Sequence, residues 1–137
     1  MATFCNEQYH KITGLLAAAD LSSYQYYYVM INSSGTVALA NAQTGGLGIL
    51  LNKPIAGQVC EIAGPGSIVG AHCGGTTGAG DMLMVETGDA GKLIKATNGL
   101  VNVARALEAG ADGSVTRVYV CEPNESVDVS KNGVGNA

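Results

Sequence analysis

The sequence has no tryptophan, one phenylalanine, three prolines and two histidines, and only 13% of its 137 residues are charged. Each scarcity excludes something. Globular chains average about 25% charged residues, so this chain has too few charges to cover a free monomer's surface in the usual way. The deficit reads as surface that neighbours normally occupy. With 47% apolar residues the chain is also unlike a disordered one, which joins high charge to low hydrophobicity. At 137 residues one domain is expected, with about two-thirds of its surface buried on folding.

The seven basic residues, Lys53, Lys92 and Lys95 among them, are scattered against a net charge of −4. They form no phosphate-binding footprint, so no nucleic-acid partner is expected. Neutral-pH acid–base chemistry has only His10 and His72 to draw on. His72 adjoins Cys73 in "AHCGG", but neighbours along a strand point to opposite faces and make a poor nucleophile–base pair. Two histidines and four widely spaced cysteines give no paired metal-ligand spacing. "GGTTGAG" lacks the lysine and following helix of a phosphate cradle. No enzyme activity, cofactor or metal is therefore expected.

The start of the chain has no charged segment followed by an apolar run, so nothing reads as a signal peptide. Glycine breaks the apolar stretches before they reach the length of a membrane span, and no membrane partner is expected. Cys5, Cys60, Cys73 and Cys121 are expected to be free thiols, because no secretion signal supports disulfides. Cys60 in "GQVCEIAG" and Cys121 in "RVYVCEP" lie in strand-like segments and read as buried thiols.

Glycine, in contrast, is plentiful, at 20 residues. It punctuates short β-branched or aromatic runs every eight to twelve residues or so, the pattern of an all-β protein. Strands are expected at about 24–31, 35–41, 46–52, 57–63, 66–73, 80–86, 91–96, 99–107 and 114–121. "LVNVARALEAG" contains good helix formers, yet the flanking "TNG" and "AGADGS" turns favour a strand there. Residues 1–20 read as an N-terminal arm with helical character around "ITGLLAAA". Residues 21–122 form the β domain, and the polar segment 123–137 reads as a C-terminal tail.

The few aromatics are clustered. "SSYQYYYVMI" holds four of the six tyrosines: Tyr24, Tyr26, Tyr27 and Tyr28. On a strand, Tyr26, Tyr28 and Met30 would face one way and Tyr27, Val29 and Ile31 the other. Both faces are apolar, which fits a central core strand. A phenol also suits a place where one end is dry and the other wet. That fits core on one side and a subunit contact on the other. Tyr24, Tyr26, Tyr27, Tyr28 and Met30, with Phe4 and Tyr9 of the arm, are thus the candidate protein interface.

Two alternatives come from other classes. "GSIVGAHCGGTTGAGDMLMVETGDAGK" loosely resembles a lipoyl or biotinyl carrier domain, with Asp81, Leu83, Val85, Glu86 and Thr87 at matching positions. Lys92 arrives too late for the modified hairpin lysine, and a glycine–aspartate turn is generic hairpin chemistry. A carbohydrate-binding β domain would need aromatic platforms on loops, whereas these tyrosines are expected on a strand.

From residue 10 to residue 121 the chain resembles the small capsid decoration (cement) proteins of tailed phages, the DUF2190-like family. The resemblance runs through "DLSSYQYYYVMINSSGTVALAN". It continues in "GILLNKPIAGQVCEIAGPGSIVGAHCGGTTGAGDMLMVETGDAGKLIKAT" and closes in "VARALEAGADGSVTRVYV". Asn52, Pro54 and Gly57, then Gly80 and Asp81, Gly91 and Lys92, and Ala106, Leu107 and Glu108 match its motifs in order. The resemblance implies a small β-barrel or β-tulip-like domain on the outside of an icosahedral virion shell, assembled in the host cytoplasm. Its implied partners are the major capsid protein and sister subunits in a homotrimer, and its role is to reinforce contacts between capsomers.

Overall fold

The structure, a computed structural model, describes residues 10–41, 46–86, 90–96 and 101–125. Among these residues the fold is all-β. Ten strands occur in chain order: β1 (Lys11–Leu16), β2 (Tyr28–Ile31), β3 (Val37–Leu39), β4 (Gly48–Leu50) and β5 (Val59–Ala63), then β6 (Ile68–His72), β7 (Met82–Val85), β8 (Leu93–Lys95), β9 (Val101–Ala106) and β10 (Val115–Glu125). The strands β2 to β9 lie inside the expected ranges, and β10 begins inside its range and runs on to Glu125. The contested segment 99–107 supplies a strand, β9.

Two expectations are corrected. Residues 11–16 are not part of a helical arm, because β1 pairs antiparallel with β5, setting Ile12 opposite Ile62 and Leu16 opposite Val59. The short branched side chains Ile12 and Leu15 pack on the core, and a bulge at Gly14, with φ +90°, keeps both turned inward. The β domain therefore starts before residue 21 and passes residue 122. Nor is the fold one closed barrel. It has two antiparallel five-stranded sheets, ordered β1-β5-β4-β2-β3 and β6-β10-β9-β7-β8.

The second sheet repeats the first with every strand number raised by five. A parallel bridge links Ala17 to Val37 in the first half and Cys73 to Leu93 in the second, offset by 56 residues (17 to 73, 37 to 93). Backbone hydrogen bonds follow the same offset. Leu21 N–H donates to the Pro54 carbonyl as Thr77 does to Gly110, and Gly57 donates to Ala17 as Gly113 does to Cys73. The ladder Tyr28–Ile49–Ala63 across β2, β4 and β5 becomes Met82–Arg105–Tyr119 across β7, β9 and β10. The chain is a tandem duplication of one β unit.

Each half buries its own inner face. Val29, Val37, Leu50, Cys60 and Ile62 with Ala17 and Leu21 fill the first. Leu83, Leu93, Ala106 and Val118 with Val69 and Val120 fill the second, in a cluster that also takes in Tyr28, Ala40, Ile49 and Ala63 from the first half. Thus Tyr28, Ile49 and Ala63 are buried in one cluster while Val29, Leu50 and Ile62 of the same strands are buried in the other.

Candidate functional site

The tyrosine segment lies at the seam between the halves. Only Tyr28 belongs to a strand, and Tyr24 to Tyr27 run through turns before β2 begins. The expected strand from residue 24 is thus corrected, and with it the strict alternation of Tyr26 and Tyr28 against Tyr27. The cause is local. Tyr26 has φ +72°, a left-handed conformation that costs a non-glycine residue about 1–2 kcal/mol, and a strand cannot pass through it. Its structural counterpart is Gly80, with φ +90°. Both donate the backbone N–H to the same place, Tyr26 to the Leu50 carbonyl at 2.7 Å and Gly80 to that of Ala106 at 2.8 Å.

Backbone hydrogen bonds stitch the seam. The His72 N–H donates to the Tyr26 carbonyl at 3.0 Å, the Tyr28 N–H to Gly91 at 2.8 Å, and the Gly91 N–H to Ala40 at 2.8 Å. Side chains pack around them. The Tyr24 and Tyr27 rings meet edge to face at 5.1 Å, and Tyr27 lies 4.6 Å from the His72 ring. A Cβ on Gly91 would sit 2.9 Å from Tyr27 Cδ2, so the close approach, as well as its φ of +81°, requires glycine.

Tyr28 is fully buried, and its hydroxyl accepts the Gly46 N–H at 3.1 Å. Burial pushes its phenol well above the ordinary range. His72 is shifted the other way, its pKa lowered by burial and then by the nearby Lys92 charge. Lys92, the lysine of the carrier-like pattern, is half-buried, and its carbonyl accepts the Glu86 N–H.

Of the candidate interface, Tyr24, Tyr26 and Met30 are half-buried and pack on the two cores. Tyr27 is half-buried against His72, while Phe4 and Tyr9 lie outside the described residues. The contacts these tyrosines make in the structure lie between two parts of the same chain. Sequence reasoning left Tyr119, Leu107, Leu16 and Ile31 out of the candidate interface, and all four are exposed. The signal was the duplication itself: "GTVALA" (35–40) against "GKLIKA" (91–96), and Leu51, Gly57 and Val59 against Leu107, Gly113 and Val115.

No protein-family profile matches this chain, and no curated protein sequence does. Among solved structures it is similar to the head fiber gp8.5 N base in bacteriophage phi29, with a TM-score of 0.63 at 13% identity. The match covers 83% of this chain and 97% of that one. The likeness is one of fold.

Proposed function

We propose that this chain is a non-enzymatic virion structural protein that binds the outer surface of an icosahedral phage capsid and strengthens contacts between capsomers. Its partners are the major capsid protein and sister subunits in a homotrimer, joined in the host cytoplasm. The observation that carries the reading is the fold correspondence over 97% of a phage head fiber base. The sparse charge of the chain and its order-and-spacing resemblance to phage decoration proteins support it independently.

The mechanism is mechanical. A protein that binds the assembled shell and not its separated parts stabilises the shell by linkage. Many equivalent sites make modest single contacts effective. The test is co-sedimentation of purified protein with assembled capsids that lack it. Pelleting with the shells, and shells that resist heat to a higher temperature, are expected. Protein that stays in the supernatant at every ratio overturns the proposal.

A further inference from the structure

The two halves pack head to tail, and each half therefore leaves one face without its counterpart. The first half offers the row Tyr28–Ile49–Ala63, all three residues 0% exposed. The same row in the second half is Met82–Arg105–Tyr119, where Tyr119 is 42% exposed and Leu107 beside it 36%. Directly paired residues of a sheet share a face, so this row holds, open, the positions that the first half buries, with Met82 half-buried and Arg105 exposed where the first half has Ile49.

The opposite end shows the converse. The second half receives the first through Val85, Gly91 and His72. Val85 is 0% exposed in the cluster that holds Tyr28 and Ile49, Gly91 touches Tyr27, and His72 stacks on Tyr27. Their counterparts in the first half are Ile31, Gly35 and Leu16, set by the pairs Ile31–Val37 against Val85–Leu93 and Leu16–Val59 against His72–Val115. Ile31 is 45% exposed, Leu16 is 43% exposed, and a Cβ on Gly35 would meet nothing within 4 Å. One molecule thus carries an open row at one end and an open receiver at the other.

We propose that the open row around Tyr119 docks a second copy of this chain, on the Leu16–Ile31 end of its first half, repeating between molecules the seam found within one. The occupant is argued from continuity, since the two open faces occupy the backbone positions of the two sides of an interface the chain already makes, with Arg105 in place of Ile49 and Asp81 in place of Tyr27. Such a contact is heterologous, and it closes into a ring where the rotation allows. Three copies in a ring would set six β units in one head-to-tail circuit. The inference deepens the self-association named under the proposed function and needs nothing of the capsid, so its failure would leave shell binding standing.

The test is sedimentation velocity on the full chain and on four charge variants, Tyr119→Glu and Leu107→Glu on the row, Ile31→Glu and Leu16→Glu on the receiver. Two variants per face guard against one that misfolds, and thermal unfolding identifies any such variant. The wild type is expected to form a higher-mass species that dissociates on dilution, and every folded variant to sediment as a monomer. Tyr119→Ala should weaken association by roughly 30-fold. An equimolar mixture of a row variant and a receiver variant should give dimers and nothing larger, because one intact row then meets one intact receiver. A wild type that is monomeric at all concentrations overturns the proposal, whether the row is bare or covered by residues 126–137 of its own chain. Row variants that dissociate while receiver variants stay assembled, or a mixture that stays monomeric, overturn the head-to-tail geometry.

Discussion

The imidazole of His72 lies 4.6 Å from the ring of Tyr27, tilted by 36°, and the two residues come from different halves of the duplicated chain. Burial and the Lys92 charge hold this histidine below its ordinary value of 6.5. The unfolded chain therefore binds a proton that the folded chain resists. The stability that follows is complete above about pH 6.5 and is lost as pH falls through the lower folded value. Urea denaturation from about pH 7.5 down to about pH 5 should show stability falling on the acid side. His72→Phe keeps an aromatic ring on Tyr27 and should flatten that part of the profile. An unchanged slope in the variant would assign the acid sensitivity to other groups.

Tyr28 separates packing from hydrogen bonding. Tyr28→Phe leaves the Gly46 N–H without its acceptor and should cost about 1 kcal/mol. Tyr28→Ala opens a cavity among residues of both halves and should cost about 3–5 kcal/mol. Tyr119→Ala, on an exposed position, should stay within about 0.5 kcal/mol in the dissociated chain. Chemical denaturation at low protein concentration measures all three.

Gly35 and Gly91 isolate the seam from the turn. Both have left-handed backbones, φ +83° and +81°, at the same place in their halves. Alanine at either should cost about 1–2 kcal/mol for the conformation alone. At Gly91 the added Cβ also meets Tyr27 and Leu39, whereas at Gly35 it meets nothing. Gly91→Ala should therefore be worse than Gly35→Ala by a further 1–3 kcal/mol or so, the usual range for overpacking. Equal losses would mean that the seam yields without cost.

Thiol labelling should sort the cysteines by depth. Cys60 and Cys73 are buried and free, and Cys121 is half-buried. Cys5 lies outside the described residues; of the other three, Cys121 should react first in native protein, slowed by a thiol pKa that burial raises. Cys60 and Cys73 should react only on unfolding, as mass spectrometry of the labelled chain would show. Native labelling of Cys60 ahead of Cys121 would contradict the packing of the first half.

The strands were legible because glycine turns and branched runs set their spacing; β3 to β9 fell where those signals placed them, and β2 fills only the end of its range. β1 was not, because "KITGLLAAAD" hides a bulged strand: Gly14 shifts its register, and Ala17 to Ala19 look helical by propensity. The tyrosine cluster was legible as an apolar segment. Its geometry was not, since nothing in "YQYYY" announces that Tyr26 occupies a place its counterpart fills with glycine. The duplication escaped for a related reason. Its halves share the conformational glycines and a few core positions, while Tyr28, Ile49 and Ala63 face Met82, Arg105 and Tyr119 across the repeat. One row is buried within the chain and the other is open on its surface.

That asymmetry has a bearing on synthesis. The ribosome makes the first half before the second, and all strand pairing among the described residues stays within a half. The first sheet can form while the second is still being translated. Its row of Tyr28, Ile49 and Ala63 would then face solvent until Val85, Gly91 and the strands around them emerge. A nascent chain with only its first half emerged would be a sticky intermediate and a natural client for a chaperone. Release from that state is set by the arrival of the second half rather than by the folding of the first.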